Sequence, residues 1–133
     1  MLAISRLPRS ADPPPRRHSV IAAFGYAFEG LAAAWRTQRN VRIQAVLALI
    51  VAALGLALRF SALSWSLVVL SIALVVAVEV VNTAIEAVVD LVSPHEHPLA
   101  KRAKDLAAAA VLLASSAALA VGILVVVQTL RGR

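Results

Sequence analysis

The segment Glu79-Val-Val-Asn-Thr-Ala-Ile-Glu-Ala-Val-Val-Asp90 decides how the chain is interpreted. It directly follows residues 60–78, nineteen residues without a formal charge, which is about the length that crosses the hydrocarbon of a bilayer. At about 100° per residue, its polar side chains fall within about 80° on one helix face; we call them the acidic face, and they are Glu79, Asn82, Glu86 and Asp90. Because carboxylates are costly in lipid, this face must meet protein, a cation or water.

The composition predicts a small all-α integral membrane protein. The chain has 133 residues, 61% of them hydrophobic, a mean hydropathy of +0.86, and no apolar–polar alternation of the kind that indicates β-strands. We expect a disordered, proline-rich basic tail at residues 1–17 and one membrane domain at 18–133. Within that domain the expected elements are a helix at 18–36 and three spans at about 43–59, 65–91 and 104–128.

The segments between the spans carry the other local signals. Apolar residues recur every three or four positions in residues 18–36, which predicts an amphipathic helix on the membrane surface; a helix packed on the bundle is equally compatible. A polar connector is expected at 37–42 and a turn at 61–64. Pro94 and Pro98 bound a loop, and Pro98 is well placed to begin the next helix.

The charge distribution favours a membrane partner over nucleic acid. The formal net charge is +6, but most arginines lie beside apolar helices, where they orient the helix and meet anionic head groups. Seven arginines precede the first span, and three basic residues separate the second span from the third. This bias places the N-terminus and the acidic face in the cytoplasm and the C-terminus outside. The absence of cysteine excludes disulfides and thiolate chemistry.

The acidic face and the nearby Lys104 and Asp105 are suited to phosphoryl transfer. Carboxylate and amide oxygens are hard ligands that suit Mg²⁺, and a lysine can hold phosphate as a point charge. A carboxylate withdrawn from water is also a stronger base. The alternative is a buried polar network that locks the helices together. The sequence contains neither a P-loop nor a kinase-type glycine loop.

Two histidines in the loop between the second and third spans favour a phosphate or head-group contact over a metal. His95 and His97 are two residues apart, and zinc would need a further soft ligand nearby in a chain without cysteine. A transport pathway is disfavoured as well, because the charges gather at one surface and do not form a line across the bilayer.

The pattern E-x-x-N-[TS]-A-I-E-x-x-x-D, with Ser93-Pro94 and the segment His97-Pro-Leu-Ala-Lys-Arg-Ala-Lys-Asp105, resembles the prokaryotic diacylglycerol kinase family, which includes the undecaprenol kinases. The resemblance extends from about Gly25 to Val127. It implies a homotrimer in the bacterial inner membrane, with a surface helix and three spans per subunit and active sites shared between neighbours. It also implies transfer of the γ-phosphate of ATP, with Mg²⁺, to the primary hydroxyl of a lipid alcohol.

The same resemblance assigns roles to individual residues. Glu79 corresponds to the base that deprotonates the lipid hydroxyl, and Glu86 to a magnesium ligand. The side chains expected around the nucleotide are Tyr26, Asn82, Glu86, Asp90, His95, Glu96, His97, Lys104 and Asp105. Gln38 stands where the family usually has a second magnesium-binding glutamate, and its amide oxygen can ligate without supplying charge. The alternative is therefore a catalytically impaired family member or a non-enzymatic membrane scaffold.

The acceptor lipid is expected to be undecaprenol in preference to diacylglycerol. Residues 39–43, 91–94 and 97–100 look more like the undecaprenol kinase branch of the family. Both lipids present a primary hydroxyl at the membrane surface, so one base and one metal serve either, and selectivity would lie in the shape of an apolar groove.

Overall fold

The computed structural model describes residues 19–132, which form four helices joined by short connections. Three of the four are long and apolar enough to cross a membrane. The predicted all-α class is therefore confirmed, while the tail predicted at residues 1–17 lies outside the described residues. The helices are α1 (Val20–Thr37), α2 (Arg39–Ala57), α3 (Ala62–Val92) and α4 (Pro98–Arg131).

The break between α1 and α2 is one residue long. The polar connector predicted at 37–42 was wrong, because α2 begins at Arg39 and Gln38 alone lies between the helices, with extended backbone angles (φ −99°, ψ 116°). The polar residues after Gln38 include no glycine or proline, so the helical backbone continues through them. At the other end of α1, the Ser19 hydroxyl accepts a hydrogen bond from the backbone N–H of Ile21 at 3.2 Å.

The turn between α2 and α3 lies earlier than the predicted 61–64. Arg59 has a φ of 53°, the left-handed conformation that commonly ends a helix. Ser61 is already the N-cap of α3, and its hydroxyl accepts a hydrogen bond from the backbone N–H of Ser64 at 3.2 Å. The two serines thus belong to the start of the helix, because a serine oxygen satisfies a backbone donor that the first turn leaves free.

The loop between α3 and α4 ends at a capped proline. His97 Nδ1 accepts a hydrogen bond from the backbone N–H of Leu99 at 3.2 Å, and Pro98 occupies the first turn of α4, as its position in the sequence predicted. Helix α4 therefore includes Lys101 and Lys104 and starts six residues before the span predicted at 104–128. Helices α3 and α4 pack against each other, and α1 contacts α2 and α3.

The buried core is small, as expected for helices that face lipid. Phe60, Val68 and Val125 form its centre. Large apolar side chains elsewhere on the three long helices are exposed, for example Leu70 at 68% and Leu113 at 72%. In a membrane these side chains contact lipid or neighbouring helices, where burial from water supplies no driving force and close packing does.

Gly55 allows the end of α2 to approach two aromatic rings. A Cβ atom at this position would lie 2.8 Å from Phe60 Cδ2 and 2.8 Å from Trp65 Cη2. The two rings are themselves in edge-to-face contact, with centroids 5.7 Å apart, so neither moves freely. Gly55 therefore fixes how the α2–α3 turn packs.

We expect Gly55→Ala to lower the free energy of unfolding by about 1–3 kcal/mol, because the added methyl group overpacks this contact. The measurement is unfolding of the detergent-solubilised protein followed by circular dichroism. Gly30→Ala is the matched control, since nothing lies within 4 Å of a Cβ at Gly30. Equal stability of Gly55→Ala and the wild type would contradict the overpacking argument.

Candidate functional site

Glu79 is a buried carboxylate on α3. Its exposed fraction is 1%, the lowest of any described acidic residue. Gln44 Nε2, on α2, donates a hydrogen bond to Glu79 Oε2 at 3.5 Å. Within residues 19–132 the ion pairs involve other carboxylates, so no lysine or arginine there neutralises Glu79. A buried carboxylate with a neutral partner is free to accept a proton from an incoming group.

Glu79 is the first charged residue of α3 and directly follows the uncharged stretch 60–78. At a rise of about 1.5 Å per residue, Glu79 lies about 26 Å along the helix axis from Ala62, and Asp90 lies about 16 Å beyond Glu79. A hydrocarbon layer about 30 Å thick that begins near Ala62 therefore ends close to Glu79. The rest of the acidic face extends from that edge towards the aqueous side.

Asn82 and Glu86 form the next part of the acidic face. Asn82 Nδ2 donates a hydrogen bond to Glu86 Oε1 at 3.1 Å, one helical turn away. Asn82 is 8% exposed, and its Oδ1 atom is buried without a hydrogen-bond partner among the described residues. An unpaired buried acceptor is rare in proteins, and here it lies beside a carboxylate on a polar helix face.

Asp90 connects the acidic face to α4. Lys104 Nζ forms an ion pair with Asp90 Oδ1 across the loop between α3 and α4, so the structure brings together two of the residues predicted at the site. Asp105 instead pairs with Lys101 one turn away, and both side chains are exposed. The adjacent residues Lys104 and Asp105 thus have different partners, because they point in different directions around α4.

The remaining predicted residues lie on the loop and on α1. His95 and Glu96 are exposed, and the Ser93 hydroxyl donates to the backbone oxygen of His95 at 3.0 Å. His97 has a structural role as the N-cap of α4. Tyr26 is 59% exposed on α1, and Gln38 is half-buried at the break between α1 and α2.

The oxygen atoms of the acidic face suit a magnesium ion, although its residues do not form a complete metal site. Among residues 19–132 no group of three His, Cys, Asp or Glu side chains is arranged to hold a metal. The Glu86 carboxylate and the unpaired Asn82 Oδ1 are nevertheless hard oxygen ligands on one helix face. Magnesium in nucleotide sites uses one or two carboxylates and completes its shell with water and phosphate oxygens, so this donor set fits.

Gln44 is a site residue that the sequence reasoning missed. It is the only residue with a polar side chain between Ile43 and Leu58, and this isolation was the available signal. A lone amide in an apolar span needs a hydrogen-bond partner, since an unsatisfied polar group is costly in hydrocarbon. Only the packing of α2 against α3 shows that its partner is Glu79.

The fold and the site define an integral membrane protein with a carboxylate-rich polar site at one end of its long helices. The sequence profile described as "Prokaryotic diacylglycerol kinase" matches residues 25–126. The chain therefore belongs to the prokaryotic diacylglycerol kinase family, whose members are membrane lipid kinases.

Named relatives carry two kinase names. A "Diacylglycerol kinase" of Escherichia coli K12 is 41% identical over 95 residues, which cover 71% of this chain and 78% of that protein. An "Undecaprenol kinase" of Bacillus subtilis is 37% identical over 103 residues, which cover 77% and 84%. A "Diacylglycerol kinase" of Synechocystis is 43% identical over 105 residues, 78% of this chain; the match spans 60% of that protein's length, less than two thirds of it.

Proposed function

We propose that this chain transfers the γ-phosphate of ATP to the primary hydroxyl of a membrane lipid alcohol, with undecaprenol as the preferred acceptor. The observation that carries the proposal is the Glu79 carboxylate, which is buried, unpaired by any cation within residues 19–132, and close to one edge of the apolar layer. A lipid hydroxyl reaches this depth while its hydrocarbon chain remains in the membrane. The family to which the chain belongs supplies the reaction type.

Glu79 is proposed to act as the general base. Its carboxylate takes the proton of the lipid hydroxyl while that oxygen forms a bond to the γ-phosphorus and ADP leaves with the electron pair of the broken P–O bond. Lys104 binds phosphate oxygens, and Asp90 orients the Lys104 ammonium through the ion pair between them. Glu86 and Asn82 would hold Mg²⁺, which when bound neutralises charge on the phosphates.

The other predicted residues are proposed to surround the nucleotide. The loop after α3 and the first turns of α4 lie next to the Lys104–Asp90 pair in the chain, which supports contacts there from loop side chains. Gln38, at the one-residue break between α1 and α2, is proposed as a neutral magnesium ligand. The residues proposed to contact the nucleotide are Tyr26, His95, Glu96, His97 and Asp105.

A homotrimer with active sites shared between subunits is the proposed assembly. Apolar side chains remain exposed along the three long helices of the single chain. These exposed apolar side chains are available for contact with neighbouring subunits. The proposed topology has α1 on the cytoplasmic membrane surface and the C-terminus outside.

The acceptor is proposed to bind with its hydrocarbon chain between the helices. A cavity of about 480 Å³ lies between α2, α3 and α4, and its lining is almost entirely apolar, with Gln44 among the few polar side chains. Such a cavity suits a lipid chain. The alternative function is a catalytically impaired family member or a membrane scaffold, and the observation that favours it is glutamine at position 38.

Phosphate transfer from labelled ATP is the experiment that tests the proposal. The purified protein is assayed in mixed micelles with undecaprenol or diacylglycerol, with and without Mg²⁺. We expect Mg²⁺-dependent labelling of undecaprenol above that of diacylglycerol. The reverse preference would overturn the acceptor assignment alone. No product from either lipid, restored by Gln38→Glu, would indicate a kinase that has lost its metal site, whereas no product from either variant would favour the scaffold.

A further inference from the structure

Gln44 faces Glu79 from the neighbouring helix in surroundings that are largely apolar. Its side chain lines the cavity between the long helices together with residues such as Leu47, Val75 and Val76. The amide nitrogen donates to Glu79 Oε2 at 3.5 Å, while the amide oxygen is buried and has no hydrogen-bond partner among the described residues. The amide N–H group of Gln44 is therefore hydrogen-bonded, while its carbonyl oxygen can still accept a hydrogen bond.

An amide can be a partner to a carboxyl group in both of its protonation states. An ionised carboxylate only accepts hydrogen bonds, so it needs the N–H of the amide. A protonated carboxylic acid donates through its O–H group and needs an acceptor, which the amide oxygen supplies after a half-turn about the last side-chain torsion. The unpaired Oε1 of Gln44 is the acceptor that the second state requires.

We propose that Gln44 is a positioning residue for Glu79, an inference that rests on the proposed kinase function. Before transfer, the Gln44 N–H group holds the carboxylate in the orientation that receives the lipid proton. That proton then moves from the lipid hydroxyl to Glu79, and the Gln44 carbonyl oxygen accepts a hydrogen bond from the new carboxylic acid. Gln44 neither gains nor loses a proton, so it resets when Glu79 releases the proton to water.

A role in locking α2 to α3 is the competing explanation for the same contact. A lock would stabilise the fold, and its removal would lower the unfolding temperature. A positioning residue acts on the reacting carboxylate, so its removal lowers kcat while the KM values for ATP and lipid stay near their original values. The vibrational band of the Glu79 carboxylate gives a separate, spectroscopic measure of the contact.

The test compares Gln44→Met with Gln128→Met in the full-length protein. Methionine has a similar size and offers no amide, and Gln128 lies near the end of α4 at the opposite end of the bundle from Asp90. We expect Gln44→Met to lower kcat about 10- to 100-fold, with the KM for ATP within about twofold of wild type. The infrared band that disappears in Glu79→Gln should shift in Gln44→Met. Gln128→Met should leave kcat and the band unchanged.

The outcomes separate this inference from the function on which it rests. An active wild type together with a fully active Gln44→Met overturns the positioning role and leaves the kinase proposal intact. A reduced kcat with a lower unfolding temperature and an unshifted Glu79 band overturns it in favour of a helix lock. A wild type that phosphorylates neither undecaprenol nor diacylglycerol overturns the proposed function and the positioning role of Gln44 with it.

Discussion

Replacing Glu79 with glutamine is expected to lower phosphate transfer to the lipid alcohol by about 10²- to 10⁴-fold, the usual contribution of a general base. The substitution keeps the size of the side chain and its ability to hydrogen-bond with Gln44 Nε2 through an oxygen. It removes the ionisable carboxylate and its formal charge. Turnover is measured with labelled ATP and the preferred lipid, and the KM for ATP is measured in parallel.

The structure supplies a matched control for this substitution. Glu29 lies on α1, is exposed, and belongs to none of the polar contacts of the acidic face. Glu29→Gln is therefore expected to retain activity within about twofold of wild type. Folding of Glu79→Gln is checked by circular dichroism and by its elution from a sizing column in detergent. A folded Glu79→Gln protein with wild-type turnover would remove Glu79 as the base.

Glu86→Gln is expected to raise the Mg²⁺ concentration needed for half-maximal activity by about 10- to 100-fold. The physical reason is the loss of a formal charge from the proposed magnesium site, whose other proposed protein donors are the neutral amides of Asn82 and Gln38. The reverse change is expected at position 38, where Gln38→Glu adds a charged ligand and lowers the Mg²⁺ requirement. Both shifts are measured by titrating the activity with Mg²⁺.

A binding measurement separates metal affinity from catalysis in these variants. Mn²⁺ replaces Mg²⁺ at oxygen-ligand sites and can be followed by electron paramagnetic resonance. We expect Mn²⁺ binding to weaken in Glu86→Gln and to strengthen in Gln38→Glu, with Glu29→Gln unchanged. Identical binding in the wild type and Glu86→Gln would show that Glu86 is not a ligand, whatever its effect on turnover.

The order of the helices could be predicted from the sequence because apolar length is a local property. A run such as residues 60–78 specifies a spanning helix without reference to any other segment. The boundaries were less predictable. Polar residues at 39–42 indicate a connector by composition, yet they continue α2, because nothing in their backbone chemistry interrupts a helix.

The site was predictable where one helix carries it and unpredictable where two helices meet. Helical periodicity alone aligns Glu79 with Asn82 and Glu86 on α3. The Asp90–Lys104 ion pair joins residues 14 positions apart, and the Gln44–Glu79 hydrogen bond joins residues 35 positions apart. Helical periodicity predicts contacts within one helix, so it predicts neither of these contacts between two helices. Asp105, next to Lys104 in the sequence, pairs with Lys101 instead.

By itself the sequence determined the membrane class, the four helices and the acidic face, since each depends on apolar length or on the 3.6-residue period. The tertiary structure alone decided that Glu79 is fully buried, that its partner is the neutral amide of Gln44, and that Lys104 forms an ion pair with Asp90. The physical reason is that burial and pairing depend on which helix faces are pressed together. Close packing determines which helix faces meet. At Gly55, for example, the contact with the neighbouring rings leaves no room for an added methyl group.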